Sequence, residues 1–161
     1  MPSEITIFTD GAASGNPGRG GYGVVLISGK HWLEKSGGFK LTTNNRMELM
    51  AVIVGLEALK IPESKVVVYT DSKYVADAVV KGWLFKWEST AFKNKKNPDL
   101  WIRFLKVYRQ HSVRFVWIKS HSNITENERC DRLAFEAYST MELMEDTGYK
   151  PESDNDSLLN I

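Results

Sequence analysis

Three acidic residues stand where carboxylates can do chemistry, and their surroundings predict that they meet. Asp10 and Asp71 each follow directly on a short β-branched run that is typical of a buried strand. Glu48 lies near the start of a stretch that is apolar almost all round, which predicts a helix buried on most sides. Because open α/β sheets bind ligands at the carboxyl ends of their strands, we expect one acidic site there.

Three carboxylates this close together repel one another unless protons or cations offset their charge. Each ionised pair at about 4 Å costs about 4 kcal/mol at an effective dielectric constant near 20. Cys130 is the only cysteine, so a cysteine-rich zinc site is excluded. Oxygen ligands alone select hard cations, Mg²⁺ first and Mn²⁺ second. A carboxylate cluster also holds two metal ions about 3.5–4 Å apart in sites that attack phosphodiesters in line.

Each acid also has a local structural alternative. Asp10 could cap the turn that the glycines, Asn and Pro directly after it predict. Asn45 and Glu48 have the spacing of a capping box, with Asn45 as the helix N-cap. Asp71 could be the N-cap of the next helix, with Ser72 as its rival.

The elements that must position these acids alternate as in an α/β fold. Short connections make the first three strands an antiparallel meander, and the crossover helix that carries Glu48 lets strand 1 pair in parallel with the strand Lys65–Thr70. We therefore predict a five-stranded mixed sheet, three antiparallel and then parallel strands, flanked by helices on both faces. The predicted strands cover residues 5–9, 22–27, 31–40, 65–70 and 113–119, and the predicted helices cover residues 46–60, 72–81, 99–111 and 125–141.

Length and composition bound the class of protein. The 161 residues suit one domain over residues 1–148, followed by an acidic tail over residues 149–161 that we expect to be disordered. The single cysteine excludes an intramolecular disulfide, the first residues do not resemble a signal peptide, and no apolar run approaches a membrane span. We expect a cytoplasmic protein that acts as a monomer and does not contact a membrane.

Charge is distributed unevenly along the chain. Residues 1–140 hold all but one of the 21 basic residues, whereas six of the 20 acidic residues lie in residues 141–161. A basic body of this kind points to a polyanionic partner. An irregular stretch over residues 82–98, the handle, interleaves aromatic residues with lysines, as surfaces that bind nucleic acids do. The alternative is a helix pair with its tryptophans in the core, which we favour for Trp83.

Four segments carry a specific pattern. They are T-D-G-A-A-S-G-N-P-G from Thr9, T-T-N-N-R-M-E-L from Thr42, Y-T-D-S-K-Y-V from Tyr69 and E-N-E-R-C-D-R-L-A from Glu126. In this order they resemble the type 1 ribonucleases H of bacteria, the ribonuclease HI family, over nearly the whole chain. The resemblance implies a ribonuclease H catalytic domain over residues 1–148, which hydrolyses the RNA strand of RNA–DNA hybrids with two Mg²⁺ ions and leaves 5′-phosphate and 3′-hydroxyl ends.

The resemblance also implies roles for individual residues. The metal-binding acids are Asp10, Glu48, Asp71 and Asp131. The positions that read the minor groove, where 2′-hydroxyls distinguish RNA from DNA, are Asn16, Asn44 and Asn45. Thr43 matches a phosphate-binding position, and His121 matches a mobile loop histidine that assists proton transfer or product release. The substrate-binding handle corresponds to Trp83, Trp87, Lys93, Lys95 and Lys96.

The implied mechanism uses the two metals differently. One, held by Asp10 and Asp71 with help from Asp131, activates the attacking water, and the other, held by Asp10 and Glu48, stabilises the leaving 3′-oxygen. The handle is several residues shorter than in the enteric enzymes of the family, which predicts weaker binding there.

Two other functions compete with this interpretation. One is a module that binds hybrids without cleaving them, against which the full set of four acids argues. The other is a different nuclease on the same fold, such as a junction resolvase or an exonuclease. The segment T-T-N-N-R-M-E-L, with its implied readers of 2′-hydroxyls, argues against that second alternative.

Overall fold

A computed structural model describes residues 4–140 and 142–151 of the chain. In this part of the chain five strands and five helices follow one another. The strands are β1 (Ile5–Ser14), β2 (Gly18–Ser28), β3 (His31–Thr42), β4 (Lys65–Thr70) and β5 (Ser112–Trp117). The helices are α1 (Asn44–Glu57), α2 (Lys73–Val80), α3 (Trp83–Ser89), α4 (Pro98–Tyr108) and α5 (Thr125–Thr140).

The five strands form one mixed sheet in the order β3-β2-β1-β4-β5. β1 to β3 are antiparallel neighbours, whereas β4 pairs in parallel with both β1 and β5. The sheet predicted from the sequence is therefore confirmed, including the parallel pairing of the first strand with Lys65–Thr70 across the crossover helix α1.

Helices cover both faces of this sheet, because successive side chains of a strand point to opposite faces and both faces are apolar. Ile7 belongs to the larger core cluster with α1 and α4, whereas its neighbour Phe8 packs with Cys130 of α5 in a smaller cluster. α5 approaches β2 so closely that a Cβ atom at Gly23 would collide with the Cys130 carbonyl. The predicted arrangement of helices on both faces is confirmed.

β1 is longer than predicted, and this changes the surroundings of Asp10. The sequence predicted a turn directly after Asp10, but Gly11 to Ser14 continue the strand and pair with Tyr22 to Arg19 of β2. The chain turns later, at Gly15, whose φ of +100° lies in the left-handed region that glycine tolerates. The prediction of an early turn was wrong because pairing with β2 outweighs the weak strand propensity of glycine and alanine.

The handle is more regular than the sequence indicated. Residues 82–98 were predicted to be irregular, but they contain the two-turn helix α3, and α4 begins one residue earlier and ends earlier than expected. α5 buries Cys130, Leu133, Ala134 and Ala137 as its core stripe predicts. The last expected member of that stripe, Met141, lies outside the described residues, as do residues 152–161 of the expected tail. None of the described helices is long and apolar enough to cross a membrane.

Candidate active site

Asp10 and Asp71 lie side by side because the register of two parallel strands aligns them. Phe8 of β1 is paired with Tyr69 of β4, and each acid follows its paired residue by two positions. The rings of Phe8 and Tyr69 are stacked nearly parallel, with their centres 4.8 Å apart. Asp71 does not cap α2, since Ser72 is the N-cap and accepts a hydrogen bond from the amide of Val75.

Glu48 reaches the two aspartates from α1. The helix begins at Asn44 with Thr43 as N-cap, whose side chain accepts from the Arg46 amide at 3.2 Å, so the capping box of Asn45 with Glu48 is wrong. Glu48 is thus the fifth residue of α1, beyond the first turn in which we expected it. Its carboxylate instead accepts a hydrogen bond from the amide of Gly11, where a Cβ atom would collide with the α1 backbone.

The three carboxylates form one group. Asp10, Glu48 and Asp71 each offer an oxygen atom that lies within 4.8 Å of the others. They line a cleft of about 400 Å³, here called the acidic cleft. The remaining residues of its lining are Gly11, Asn44, Asn45, Ser72, Lys73, Tyr74 and Ser120.

Burial and mutual repulsion make the acidic cleft a poor place for unpaired negative charge. Burial, followed by the charge of Asp71, raises the pKa of Asp10 to about 8. Burial, followed by the charges of Asp10 and Asp71, also raises the pKa of Glu48 well above its ordinary value. Without a cation, burial and repulsion therefore favour the protonated forms of Asp10 and Glu48, and a metal ion would compete with those protons.

The donor set fits a hard divalent cation. All three groups are carboxylates, which suit Mg²⁺ and Mn²⁺ rather than softer metals. Lys73 is the one basic side chain in the described lining of the cleft, and its ammonium lies 4.9 Å from the centre of the Trp117 ring. A metal ion bound in this cleft would therefore neutralise the negative charge of the three acids.

The two other predicted catalytic residues, Asp131 and His121, are not members of this group of three. Asp131 is exposed on α5 and lies outside the group of three within the described residues, but its charge contributes to the raised pKa of Asp10. His121 is exposed in the loop before α5, with a φ of +57°. Its neighbour Ser120, rather than His121 itself, lines the acidic cleft.

The predicted groove-reading residues lie together on one side of the cleft. The Asn44 side-chain oxygen accepts a hydrogen bond of 2.6 Å from the Ala13 amide. The Asn44 amide in turn donates to the Asn16 side-chain oxygen at 3.2 Å. These bonds connect the end of β1 and the turn after it to the start of α1, where Asn44 and Asn45 line the cleft and Thr43 caps the helix.

The handle presents its residues differently from the sequence prediction. Trp83, which we assigned to the core, is 42% exposed, and the ammonium of Lys81 lies 5.1 Å from its ring centre. Trp87 is the tryptophan that packs inward, at 5.9 Å between ring centres from Trp101. Trp83 starts α3 directly after Gly82, which has a positive φ, and the aromatic pattern of the sequence does not reveal that its ring is exposed.

The lysines of the handle are exposed, as predicted for Lys93, Lys95 and Lys96. Lys95 also places its ammonium 5.2 Å from the centre of the Trp87 ring. Phe92, which directly precedes them in the chain, is buried and anchors the loop to the core.

Several residues of the site were not predicted as functional. Lys73, Tyr74 and Ser120 line the acidic cleft, and Trp117 donates from its indole nitrogen to the Asp71 carbonyl. Tyr74 also accepts a hydrogen bond from the Asn97 side chain at the end of the handle, so it connects the handle to the cleft. Lys73 and Tyr74 could have been found from their closeness to Asp71 in the chain. Trp117 and Ser120 could have been found from the pairing of β4 with β5, which brings the ends of these strands together.

Comparisons with known proteins agree with this geometry. The sequence matches the family model described as RNase H over residues 2–139. It is 58% identical to "Ribonuclease H" of Trichodesmium erythraeum (strain IMS101) over 153 residues, which cover 92% of this chain and 97% of that protein.

Solved structures share the fold. LC9-RNase H1, described as a type 1 RNase H with the type 2 active-site motif, is 25% identical in sequence with a TM-score of 0.80. The match covers 98% of this chain and 81% of the LC9-RNase H1 chain. LC11-RNase H1, solved in complex with an RNA/DNA hybrid, is 30% identical in sequence with a TM-score of 0.64. The match covers 83% of this chain and 96% of the LC11-RNase H1 chain. The sequence resemblance is confirmed, and the chain belongs to the ribonuclease H family.

Proposed function

We propose that this protein is an endoribonuclease that hydrolyses the RNA strand of RNA–DNA hybrids. The observation that carries the proposal is the group of Asp10, Glu48 and Asp71, with oxygen atoms within 4.8 Å of one another in a cleft that Asn44 and Asn45 also line. Membership of the family and the likeness to LC11-RNase H1, a protein that binds an RNA/DNA hybrid, support it.

The residues of the cleft would hold two Mg²⁺ ions, with Mn²⁺ as a substitute. Asp10, Glu48 and Asp71 would be the principal ligands, and Asp131, exposed on α5, would join them at the margin. When bound, such a pair of ions supplies an activated water for in-line attack and offsets the charge of the leaving 3′-oxygen. Water would attack the phosphorus and lose a proton, the bond from phosphorus to the 3′-oxygen would break, and that oxygen would take up a proton. The products would be 5′-phosphate and 3′-hydroxyl ends, without a covalent intermediate.

Recognition of RNA would fall to the residues around the start of α1. Asn44 uses its side-chain oxygen for the Ala13 amide, which leaves its amide NH₂ group to donate to a substrate. Asn16 fixes the Asn44 backbone, and Asn45 lines the same cleft. Amides at this position can bind 2′-hydroxyls across the wide minor groove of a hybrid, and Thr43 can bind a phosphate with its remaining hydroxyl hydrogen.

The handle would bind the backbone of the duplex. Lys93, Lys95 and Lys96 are exposed on one short loop, and the ring of Trp83 is exposed at the start of α3. Lysines contribute affinity that does not depend on sequence, because they displace counterions from the phosphates. Trp87 would act indirectly, since it packs on Trp101 and supports Lys95.

The test compares three labelled duplexes, RNA–DNA hybrid, RNA duplex and DNA duplex, each with Mg²⁺, with Mn²⁺ and with EDTA. We expect cleavage of the RNA strand of the hybrid alone, at internal positions, with 5′-phosphate ends and only with a metal ion. Glu48→Gln should nearly abolish cleavage while hybrid binding remains, because lysines and groove contacts provide binding. Glu57→Gln is the matched control, since Glu57 ends the same helix in a surface ion pair with Arg103.

The outcomes separate the competing functions. Binding without cleavage by the unaltered protein would indicate a hybrid-binding module, and cleavage of the DNA duplex would indicate another nuclease of this fold. Wild-type turnover by Glu48→Gln would contradict the assignment of the acidic cleft. The monomeric state and the cytoplasmic location stay predictions, and light scattering on the purified protein tests the first.

A further inference from the structure

Asp71 is held by a segment that the catalytic proposal does not use, residues 117–120, which leaves the end of β5. The indole nitrogen of Trp117 donates to the Asp71 carbonyl at 3.0 Å. The amide of Ile118 donates to the Thr70 carbonyl at 2.9 Å, one residue earlier. The Ser120 hydroxyl donates to the Asp71 carboxylate oxygen Oδ2 at 2.8 Å. Backbone and side chain of Asp71 are therefore both fixed from the same neighbouring segment.

The bond from Ser120 has a chemical consequence for the carboxylate. A carboxylate has two oxygen atoms, and a neutral hydroxyl that donates to one of them fixes the orientation of the other. Asp71 has an oxygen atom within 4.8 Å of the ligand atoms of Asp10 and Glu48, so its orientation decides whether all three can act together. Hydrogen bonds to a ligating carboxylate orient it and typically increase metal affinity.

The same bond also fixes the start of the loop that carries His121. Ser120 is the last residue before two non-glycine positions of positive φ, His121 at +57° and Asn123 at +64°. A loop with such a backbone needs anchors to keep its conformation. Ser120 thus connects the position of the loop to the position of the Asp71 carboxylate.

We propose that Ser120 is a positioning residue that orients Asp71 for metal binding and couples the His121 loop to the metal site. This inference rests on the proposed function, since it concerns the metal ions of that reaction. Ser120 touches neither substrate nor reacting atoms in this role. It acts through Asp71 by the hydrogen bond at 2.8 Å.

Metal binding without nucleic acid tests the proposal directly. Mn²⁺ is titrated into the purified protein, and free Mn²⁺ is measured by electron paramagnetic resonance for the wild type, Ser120→Ala, Ser120→Thr and Ser122→Ala. We expect Ser120→Ala to weaken Mn²⁺ binding about 2- to 10-fold, which corresponds to one net hydrogen bond. Ser120→Thr keeps the hydroxyl and should bind nearly as the wild type does.

Ser122→Ala is the matched control, because Ser122 is exposed in the same loop and has no hydrogen bond among those that the structure describes. It should leave Mn²⁺ affinity unchanged. Hydrogen exchange of the amides at 119–124 should become faster in Ser120→Ala only. In turnover of hybrid, Ser120→Ala should need about 2- to 10-fold more Mg²⁺ for half-maximal kcat, with an unchanged KM for hybrid.

Several results would overturn the proposal. They are wild-type Mn²⁺ affinity in Ser120→Ala, an equal loss in Ser122→Ala, or a loss in Ser120→Thr as large as in Ser120→Ala. Absence of hybrid cleavage by the wild type would instead overturn the proposed function, and the Mn²⁺ titrations would still decide the role of Ser120. A wild-type protein that binds no Mn²⁺ would overturn both.

Discussion

At the scale of single residues, Asp10 shows that a cleft suited to binding a cation lowers the stability of the folded protein. It is only 7% exposed, it lies beside Asp71 and Glu48, and its pKa is raised from 3.8 to about 8, chiefly by burial. The Gly11 amide donates to its carboxylate at 2.9 Å, but one neutral donor does not offset two neighbouring acids. A fold that keeps this group ready for a cation is therefore less stable when no cation is bound.

This cost predicts a pH dependence of stability. Because the pKa of Asp10 is higher in the folded than in the unfolded chain, its contribution is fully present below pH 3.8 and is lost as the pH rises through about 8. In EDTA, Asp10→Asn should therefore raise the free energy of unfolding at about pH 9 by about 1–3 kcal/mol, and by less at about pH 6. Urea unfolding at both pH values, followed by circular dichroism, measures this difference.

Two controls sharpen the measurement. Asp77→Asn, at an acid that pairs with Lys81 on α2, should not show the gain at high pH. Mg²⁺ should stabilise the wild type more than Asp10→Asn, because a ligand that binds only the folded state raises its stability. Equal stabilities of wild type and Asp10→Asn at high pH in EDTA would contradict the raised pKa.

His121 is the second residue with a separate prediction. It is exposed in a loop whose preceding residue lines the acidic cleft, so its imidazole could give or take a proton beside that cleft. His121→Ala should slow kcat about 10²- to 10⁴-fold without abolishing turnover, and the KM for hybrid should change little. Steady-state kinetics at saturating Mg²⁺ measure both, with His31→Ala as control, since His31 starts β3 away from the cleft. A near-wild-type kcat would show that His121 is a surface histidine without a role in turnover.

At the scale of elements, the handle shows how a short segment divides its work between core and surface. Phe92 and Trp87 pack inward, and the latter contacts Trp101 of α4. Trp83 and the three lysines of the loop remain at the surface. Asn97 ends the loop and donates to the Tyr74 hydroxyl at 3.0 Å, so the handle is anchored to an element that lines the cleft.

This division predicts a salt effect confined to the loop. Replacing Lys93, Lys95 and Lys96 together by Ala should weaken hybrid binding and flatten its log–log salt dependence by about 0.9 for each phosphate that is no longer neutralised. Fluorescence anisotropy over a series of KCl concentrations, with Ca²⁺ in place of Mg²⁺ to prevent cleavage, measures the slope. An unchanged slope would show that these lysines do not meet the phosphates.

The matched control removes three lysines from the opposite end of the sheet. Lys30, Lys60 and Lys65 are exposed, and Lys65 starts the strand that ends before Asp71. Their joint replacement by Ala changes the net charge equally but should change the slope much less.

At the scale of the whole molecule, Arg46 connects three parts of the chain. It is 1% exposed, and its guanidinium donates to both carboxylate oxygens of Asp99 on α4 and to both of Asp146 near the end of the described chain. The segment with Asp146 is also joined to β3 by backbone hydrogen bonds through Met144, at 2.9 Å. Arg46 therefore fixes the start of α1, which carries Glu48, against α4 and the terminal segment.

The burial of this network predicts a large effect on stability. Arg46→Met should lower the free energy of unfolding by about 3–5 kcal/mol, because it leaves the Asp99 carboxylate and the buried Asp146 carboxylate without their cationic partner. Urea unfolding in the presence of Mg²⁺ measures the loss. Arg103→Gln, at the more exposed ion pair with Glu57, should cost less than about 1 kcal/mol. Similar losses in both variants would mean that the Arg46 network contributes no more than a surface pair.

Sequence alone was sufficient to predict the sheet and the proximity of Asp10, Glu48 and Asp71, because both depend on local patterns. Strand and helix periodicity, with the right-handed crossover, was sufficient to align Asp10 with Asp71 and to bring Glu48 to the same edge. The family resemblance depended on four short segments, each of which is contiguous in the chain. The type of each element was right wherever its apolar pattern was long, whereas the predicted ends of several elements, among them β1, β2, α1 and α4, were wrong.

Only the tertiary structure decided which partners each residue has, because those partners are distant in sequence. β1 continues through Gly11 because β2 pairs with it, and Trp83 is exposed at the start of α3 whereas Trp87 packs on Trp101. Arg46 finds Asp146 across 100 positions, and Ser120 finds Asp71 across 49. Contacts of this kind arise from packing and burial, which no local pattern encodes, and they decide how tightly the acidic cleft is held.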